Sequence, residues 1–208
     1  MNVRFCSLLA CGFLMCLCMM TSRTNLSAHP HMFIDNKTEC VFDQQGLKGF
    51  RVFWQFDDMF GSSILLDYDI DGDYVFNKTE TDTIYSEAFS NLKNFSYLYH
   101  INFNKEEYEI DHVDSFFVEY KGERLHYSFF IPCRILARDV KTTVEFSVYD
   151  DSYFIDVTTD IEAGVFVEGH EGIDADVVVQ NKKQMDEMYG ELRRTFITLK
   201  FKRNSSAP

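Results

Sequence analysis

The sequence predicts an α+β protein, in which an antiparallel, β-rich, sandwich-like body carries an inserted EF-hand-like helix-loop-helix. After residue 30, apolar and polar side chains alternate in many short runs rich in Phe, Tyr, Val and Ile, which is typical of half-buried strands. A helical pattern, with apolar residues at intervals of three and four, appears on both sides of one acidic segment, at about 57–96. The chain has 208 residues, 46% of them hydrophobic. This length suits a single β-rich metal-binding domain, predicted at 29–208.

The charge balance restricts the classes of partner. The chain has 33 acidic and 20 basic residues, which gives a formal net charge of -13 at pH 7. A strongly anionic surface repels nucleic acid phosphates and anionic lipids and attracts cations. We therefore expect a metal ion as a partner and no nucleic acid, whereas no feature of the sequence specifies an oligomeric state.

The first 28 residues have the layout of a secretory signal peptide. A short basic segment with Arg4 precedes a predominantly apolar run at 5–20, and small and polar residues follow up to Ala28. This run is shorter than the roughly 20 residues that a membrane-spanning helix needs. We expect cleavage after Ala28 and export to the periplasm. An uncleaved N-terminal anchor is the alternative, and a lipoprotein at Cys11 is disfavoured because the apolar stretch before this cysteine is too short.

Cleavage at Ala28 would establish the histidine site, because His29 then becomes the first residue. Its α-amino group, its imidazole and the imidazole of His31 lie within three residues, and such nitrogen ligands suit Ni, Co, Zn or Cu. Pro30 has no amide hydrogen, which blocks a square-planar site built on two deprotonated amides. A further ligand must come from elsewhere, and His170 lies in a Gly-His-Glu-Gly segment that favours exposure. The other candidates are acidic residues and His100, His112 and His126.

The cysteine distribution predicts one disulfide. Four of the six cysteines lie within residues 1–28, so only Cys40 and Cys133 remain in the exported domain. Two cysteines in an exported domain suggest a bridge. It would close a loop of about ninety residues and, on the loop-entropy model, stabilise the fold by roughly 4 kcal/mol. Two unpaired buried thiols are the alternative.

Seven segments show the period-two pattern and are predicted as strands. The spacers at 120–124 and 149–152 are predicted as hairpin turns between consecutive strands. The predicted strands are 39–42, 50–56, 116–120, 125–131, 144–148, 154–158 and 196–201.

An acidic loop separates the two predicted helices, at 57 to about 67 and about 84–95. With Asp69 at position 1, the sequence at 69–80 follows the ligand order of an EF-hand, and Glu80 falls at position 12. These oxygen ligands suit a hard cation such as calcium, and Glu80 can close the shell through both carboxylate oxygens. The candidate ligands are Asp69, Asp71, Asp73, the carbonyl of Val75, Asn77 and Glu80.

Tyr74 departs from the EF-hand pattern, because position 6 normally holds a glycine with positive φ. A side chain in that conformation costs on the order of 1 kcal/mol, so we expect weakened calcium affinity. The register with Gly72 at position 6 puts Lys78 at position 12 and loses the closing carboxylate. The alternative is an acidic solvated turn that binds no ion.

Four motifs together resemble a bacterial family. They are AHPHMFID at 28–35, WQFD at 54–57, DIDGDYVFNKTE at 69–80 and VYDDSYFIDV at 148–157. The resemblance is to a periplasmic family of unassigned function, described as the periplasmic component of an uncharacterised ABC-type transport system and often encoded beside nickel/cobalt transporters. It implies transition-metal handling in the periplasm with a membrane metal transporter as a partner. His29 and His31 match the histidine pair, and the motif at 69–80 matches the acidic loop.

We therefore expect a non-enzymatic periplasmic metal-binding protein. It would capture or deliver a transition metal through His29 and His31, and the acidic loop would be a structural or sensory cation site. The alternative is a structural or interaction module of the cell envelope without a transition-metal role. An enzyme is least favoured, because the sequence has no nucleophile elbow, phosphate-binding glycine loop or HExxH motif. A copper oxidative enzyme with an N-terminal histidine stays as a third hypothesis because its ligand set overlaps.

Overall fold

The structure is a computed structural model that describes residues 30–169, 171–186 and 190–204. The predicted signal peptide at 1–28, and the predicted ligands His29 and His170, lie outside these residues. Among the residues that the structure describes, no helix combines the length and the apolar composition that crossing a membrane requires.

Eleven strands and two α-helices form the described part of the chain, and the strands form two sheets. In chain order the elements are β1 (Met32–Asp43), β2 (Gly46–Phe56), α1 (Asp58–Tyr68), α2 (Lys78–Ile84), a π-helical turn (Tyr85–Phe89), a 3-10 segment (Ser90–Leu98), β3 (Tyr99–Phe103), β4 (Glu106–Glu107), β5 (Asp114–Lys121), β6 (Arg124–Leu136), β7 (Thr142–Val148), β8 (Ile155–Thr159), β9 (Val165–Glu168), β10 (Ile173–Asp186) and β11 (Gly190–Arg203). The first sheet has the order β5-β6-β2-β1-β8, with β9 also paired to β1, and the second has the order β10-β11-β7-β3-β4.

The two sheets face each other through aromatic side chains. The ring centroids of Phe50 in β2 and Phe146 in β7 are 4.8 Å apart, and those of Phe42 in β1 and Phe201 in β11 are 5.1 Å apart. Burying such rings removes large apolar areas from water, and paired rings add about 0.5–1.5 kcal/mol beyond that burial. The prediction of a mostly β protein with few helices is therefore confirmed.

The helical region packs against buried side chains of the first sheet. The ring of Phe89 packs against Trp54 and Phe129, at centroid distances of 6.3 and 5.0 Å. A Cβ at Gly61 in α1 would lie 3.3 Å from Cβ of Leu125, so a residue without a side chain lets the helix approach β6 closely. This packing fixes α1, and with it the start of the acidic loop, against the sheet.

All seven predicted strand segments overlap strands, and most strand pairs are antiparallel as predicted, with one edge of the first sheet as the exception. Both β8 and β9 pair with β1 in parallel, along the same edge. The chain leaves this edge between them in a turn, where the Gly164 amide donates to the Asp160 carbonyl at 3.0 Å and the Thr38 amide donates to the Gly164 carbonyl at 2.8 Å. The two short strands therefore form one interrupted edge strand.

The hairpin predicted at 120–124 is confirmed, since β5 and β6 pair up to Lys121 and Arg124. The hairpin predicted at 149–152 is wrong, because β7 belongs to the second sheet and β8 to the first. The Asp150 carboxylate accepts hydrogen bonds from the backbone amides of Phe154 and Ile155, both at 3.0 Å. These bonds turn the chain away from β7 and towards the other sheet.

The second predicted helix, at about 84–95, is also different in the structure. A π-helical turn at Tyr85–Phe89 continues into the 3-10 segment Ser90–Leu98. The hydroxyl of Ser86 donates to the Thr83 carbonyl at 3.0 Å, and the hydroxyl of Ser90 donates to the Ser86 carbonyl at 2.8 Å. Serine side chains that bond to backbone groups compete with regular helical hydrogen bonds, which explains the irregularity.

The predicted disulfide is not formed, and Cys40 and Cys133 are free, buried thiols. Cys40 lies in β1 and Cys133 in β6, on opposite sides of β2. Two strand spacings amount to about 10 Å, whereas a bridge requires Cα atoms within about 7 Å of each other. Burial, with a smaller effect of Glu39 at Cys40, raises the pKa of each thiol to about 12.

Candidate metal centre

The acidic loop at 69–77 joins two capped helices. The Asp57 carboxylate caps α1, accepting hydrogen bonds from the amides of Met59 at 2.9 Å and Phe60 at 3.0 Å. Its second oxygen accepts a hydrogen bond from the Phe33 amide of β1 at 2.7 Å. One carboxylate thus orients the helix and ties it to the first sheet.

Asp69 organises the first half of the loop. Its carboxylate accepts hydrogen bonds from the amides of Gly72, Asp73 and Tyr74 at 3.0–3.2 Å. The Asp73 carboxylate in turn accepts a hydrogen bond from the Val75 amide at 2.8 Å. These bonds curl the backbone around the carboxylates.

Glu80 and Asn77 close the second half of the loop. The buried Glu80 carboxylate accepts hydrogen bonds from the amides of Ile70 and Asn77, both at 2.9 Å. The Asn77 side chain accepts hydrogen bonds from the amides of Thr79 at 2.9 Å and Glu80 at 3.1 Å, which completes a capping box at the start of α2. The EF-hand ligand order alone does not predict these capping roles, whereas the N-x-x-E spacing is a sequence signal for them.

Three carboxylates converge in the loop. One oxygen from each of Asp69, Asp71 and Asp73 lies within 4.8 Å of the other two. Two ligand atoms that each lie about 2.4 Å from a calcium ion can be at most about 4.8 Å apart, so this spacing is compatible with one shared ion. Within the described ranges, no other group of three or more His, Cys, Asp or Glu residues converges in this way.

The same convergence produces mutual repulsion. Desolvation, followed by the charges of Asp73, Glu80 and Asp69, raises the pKa of Asp71 above its usual value. The Asp71 carboxylate therefore ionises against its neighbours, and a bound cation would relieve the repulsion.

The loop backbone is left-handed at two positions. Gly72 has φ 72° and Tyr74 has φ 64°. Tyr74 is thus in the conformation that an EF-hand requires at position 6, although it carries a side chain. Its ring is 61% exposed and lies 6.1 Å, centroid to centroid, from the ring of Tyr120.

Of the six predicted loop ligands, the structure brings together the three aspartates. The side-chain oxygens of Asn77 and Glu80 accept hydrogen bonds from backbone amides, as the carboxylates of Asp69 and Asp73 also do. Val75 is exposed in the loop.

His31 lies at the entrance to β1. Its amide donates to the Phe154 carbonyl at 2.9 Å, and its exposed ring lies 5.0 Å, centroid to centroid, from the Phe154 ring. It does not belong to a converging group of metal-ligating side chains within the described residues.

The described alternatives for the further ligand are on separate elements. Nε2 of His100 is 3.3 Å from the Tyr149 carbonyl oxygen, and Nε2 of His126 is 3.2 Å from the Lys121 carbonyl oxygen. His112 is exposed, with Nε2 at 3.7 Å from the Asp114 carboxylate. The structure does not bring these histidines together into one site.

Comparison with known proteins identifies relatives of unassigned function. The profile of a family described as "Protein of unknown function (DUF1007)" matches residues 13–194. An "Uncharacterized protein" of Haemophilus influenzae is 28% identical over 134 residues, which cover 63% of this chain and 63% of the relative. An "Uncharacterized 15.5 kDa protein in trpE 3'region" of Spirochaeta aurantia is 24% identical over 133 residues, which cover 64% of this chain and 94% of the relative. The chain thus spans less than two thirds of the length of the Haemophilus relative.

Proposed function

The chain belongs to the DUF1007 family of proteins of unknown function. We propose that it is a non-enzymatic cation-binding protein whose acidic loop binds a hard divalent cation. The observation that carries the proposal is the convergence of the Asp69, Asp71 and Asp73 carboxylates within 4.8 Å. All three ligands are oxygens, which favour calcium over softer metals.

The remaining calcium ligands would come from the loop backbone and from water. The carbonyl of Val75 is the predicted backbone ligand at position 7. Glu80 would serve as the closing ligand while still accepting its hydrogen bonds from the amides of Ile70 and Asn77, because each carboxylate oxygen has two lone pairs. Asp69, whose carboxylate also accepts backbone hydrogen bonds, is in the same position.

Calcium titration of the purified protein tests the proposal. We expect saturable heat with the wild type and affinity at least about tenfold weaker in Asp71→Asn, which removes one charged ligand. The matched control is Asp82→Asn, which removes an exposed carboxylate one turn into α2 and should leave the affinity within about threefold of wild type. No heat at about millimolar calcium, a concentration that still fills weak extracellular sites, would exclude the loop as a calcium site.

A second candidate function is transition-metal capture in the periplasm, linked to a membrane transporter. The observation that favours it is the exposure of the His31 ring at the entrance to β1, where the backbone of this residue is held by the Phe154 carbonyl. In the processed protein the amine and imidazole of His29 would lie two residues away, and His170 is the candidate further ligand. Nickel, cobalt, zinc and copper suit these nitrogens.

Metal analysis of the natively purified, processed protein tests this second function. We expect a stoichiometric d-block metal that is lost on changing His29 and His31 to Ala, and retained in His112→Ala, which removes an exposed imidazole elsewhere. N-terminal sequencing of the same sample establishes whether His29 is the first residue. A metal-free protein that co-purifies with a transporter would favour an interaction module of the cell envelope, and peroxide-dependent turnover with copper would favour an oxidative enzyme.

A further inference from the structure

A cleft of about 450 Å³ lies apart from the acidic loop, between the 3-10 segment, β3, β4 and the turn after β7. Volumes of roughly 300–1,000 Å³ are usual for sites that hold small molecules. None of the described residues that line the cleft is Lys or Arg. We name it the β3 cleft, and the side chains that matter here are Asn94, Phe95, His100, Asn102, Glu107 and Asp151.

The wall of the β3 cleft includes strained backbone. Three consecutive residues that are not glycine, Ser96, Tyr97 and Leu98, have φ values of 50°, 51° and 63°. Each left-handed residue costs roughly 1–2 kcal/mol, so the surrounding packing must hold this turn in place. Tyr97 and Leu98 are almost fully buried and provide that packing. The consequence is a fixed rim on which the Phe95 ring remains 58% exposed.

The opposite wall is rigid for a different reason. The ring of His100 stacks on that of Tyr149 at a centroid distance of 3.9 Å and an interplanar angle of 11°. The guanidinium carbon of Arg194 lies 3.8 Å from the same Tyr149 centroid. Two groups at this distance cannot share one face, so both faces of the Tyr149 ring are covered. Phe95 is therefore the aromatic surface that a ligand in the cleft can contact.

The charge available to a ligand is negative. The exposed Glu107 forms no ion pair with any described residue, whereas Asp151 has the Arg194 guanidinium at 3.7 Å and Nε2 of His100 at 4.0 Å. The Asp150 carboxylate is already occupied by backbone amides of the turn. Glu107 thus gives the cleft its negative charge, and Asp151 adds an exposed carboxylate whose charge Arg194 partly offsets. Asn94 and Asn102 add amide oxygens that accept hydrogen bonds.

We propose that the β3 cleft binds a linear aliphatic polyamine, a ligand and site separate from the proposed function above. The carboxylates and the imidazole of the cleft do not converge as a metal requires, because the only described group that does so is Asp69, Asp71 and Asp73. A flexible cation with spaced ammonium groups matches separated acceptors. Its ammonium groups donate to Glu107 and Asp151, and one of them or its flanking methylenes packs on the Phe95 ring.

Calorimetric titration with spermidine tests the proposal on the full chain. We expect saturable binding to the wild type, and about tenfold weaker binding to Glu107→Gln, because a hydrogen bond to a charged group is lost. The matched control is Glu106→Gln, which removes the same charge from the adjacent residue of β4, whose side chain points to the opposite face. Asp151→Asn and Phe95→Ala should each weaken binding by about three- to tenfold.

Two further controls separate this site from the acidic loop and from non-specific charge. Asp71→Asn should bind spermidine as the wild type does, and saturating calcium should not displace it. No saturable heat at about 10 mM spermidine, equal weakening in Glu106→Gln and Glu107→Gln, or equal binding of an uncharged polyol such as xylitol would each overturn the proposal. Thermal melting of each variant shows that a loss of binding does not reflect unfolding.

Discussion

Tyr74 holds a left-handed backbone conformation in the acidic loop, with φ 64°. A side chain in this conformation costs on the order of 1 kcal/mol, and this cost lowers the stability of the folded chain. Tyr74→Gly should therefore raise the free energy of unfolding by about 0.5–1 kcal/mol. This net gain is the strain that glycine relieves, reduced by the conformational entropy that glycine adds to the unfolded chain.

Chemical denaturation of Tyr74→Gly beside Tyr74→Ala checks this prediction. The alanine variant loses the same exposed ring but keeps a Cβ, so it should show no gain in stability. Equal stability of the two variants would contradict a folding cost at this position. A gain in calcium affinity in Tyr74→Gly without a gain in stability would show that the strain develops on binding instead.

Glu80 is the residue on which closure of the loop depends. It is 5% exposed, and both of its oxygens accept backbone hydrogen bonds. Glu80→Gln places an amide NH₂ group against one of two N–H donors, so we expect a loss of about 1–3 kcal/mol in the free energy of unfolding. Glu119→Gln, on an exposed position of β5, is the control and should change stability by no more than about 0.5 kcal/mol. Equal stability of Glu80→Gln and wild type in urea titration would contradict the closing role.

The features of the site that depend on residues close together in sequence were predictable from the sequence. The spacing of Asp69, Asp71 and Asp73 placed three ligands on one turn, and the EF-hand register predicted positive φ at Tyr74. The register does not reveal how the oxygens of Asn77 and Glu80 are shared between a cation and the capping box. Those hydrogen bonds depend on where α2 begins, which ligand spacing alone does not specify.

A buried polar network joins both sheets at the level of the elements. The Asn36 side chain in β1 accepts hydrogen bonds from Nε1 of Trp54 at 3.0 Å and from the Tyr99 hydroxyl at 2.9 Å. It also donates to the hydroxyls of Thr38 and Thr159, at 3.2 and 3.0 Å. Tyr99 belongs to the second sheet and the other four residues to the first, so the network fixes how the two sheets meet.

Asn36→Leu should therefore be strongly destabilising. The substitution has a similar volume but leaves the indole N–H and the tyrosine hydroxyl without their shared acceptor in a dry interior, and each loss costs about 1–3 kcal/mol. We expect the free energy of unfolding to fall by about 2–5 kcal/mol in urea titration. Lys37→Leu, at the neighbouring outward position of β1, is the control, with an expected change within about 0.5 kcal/mol. Similar stability of the two variants would show that the network does not hold the sheets together.

The strands were predictable, but their arrangement was not. Period-two alternation shows that one face of a segment is buried, yet it does not say which sheet supplies the partner. The segments 144–148 and 154–158 are neighbours in sequence and were predicted to pair, but they lie in different sheets. The hydrogen bonds that the Asp150 carboxylate accepts from backbone amides turn the chain between them. The missed strand β10 carried a usable signal, since apolar residues recur at every second position at Ile173, Ala175, Val177 and Val179.

At the scale of the whole molecule, the strand order rather than the number of cysteines determines whether a disulfide can form. Two cysteines in a domain predicted to be exported favoured a bridge, but β2 lies between their strands and keeps them apart. The core therefore contains two thiols whose ionisation is opposed by burial, and for this reason the stability of the fold depends on pH.

Alkaline pH should destabilise the protein through these thiols. Burial raises the pKa of Cys40 and Cys133 from 9.0 to about 12, and it raises the pKa values of Tyr99 and Tyr127 above their ordinary value of 10.0. The unfolded chain therefore releases protons first as the pH rises. The stability is fully present below pH 9 and is lost between 9 and about 12, by roughly 1.4 kcal/mol per pH unit for each thiol once its unfolded form is ionised.

Urea titration at pH 8, 9, 10 and 10.5 measures this loss. We expect the wild-type midpoint to fall steadily above pH 9. Cys133→Ala should start lower at pH 8, because it leaves a cavity in a closely packed interior, but its stability should then fall less steeply, by about 1.4 kcal/mol per pH unit at the upper end. Equal slopes for the two proteins would mean that Cys133 titrates alike in the folded and unfolded chain, which is incompatible with its burial on the inner face of β6.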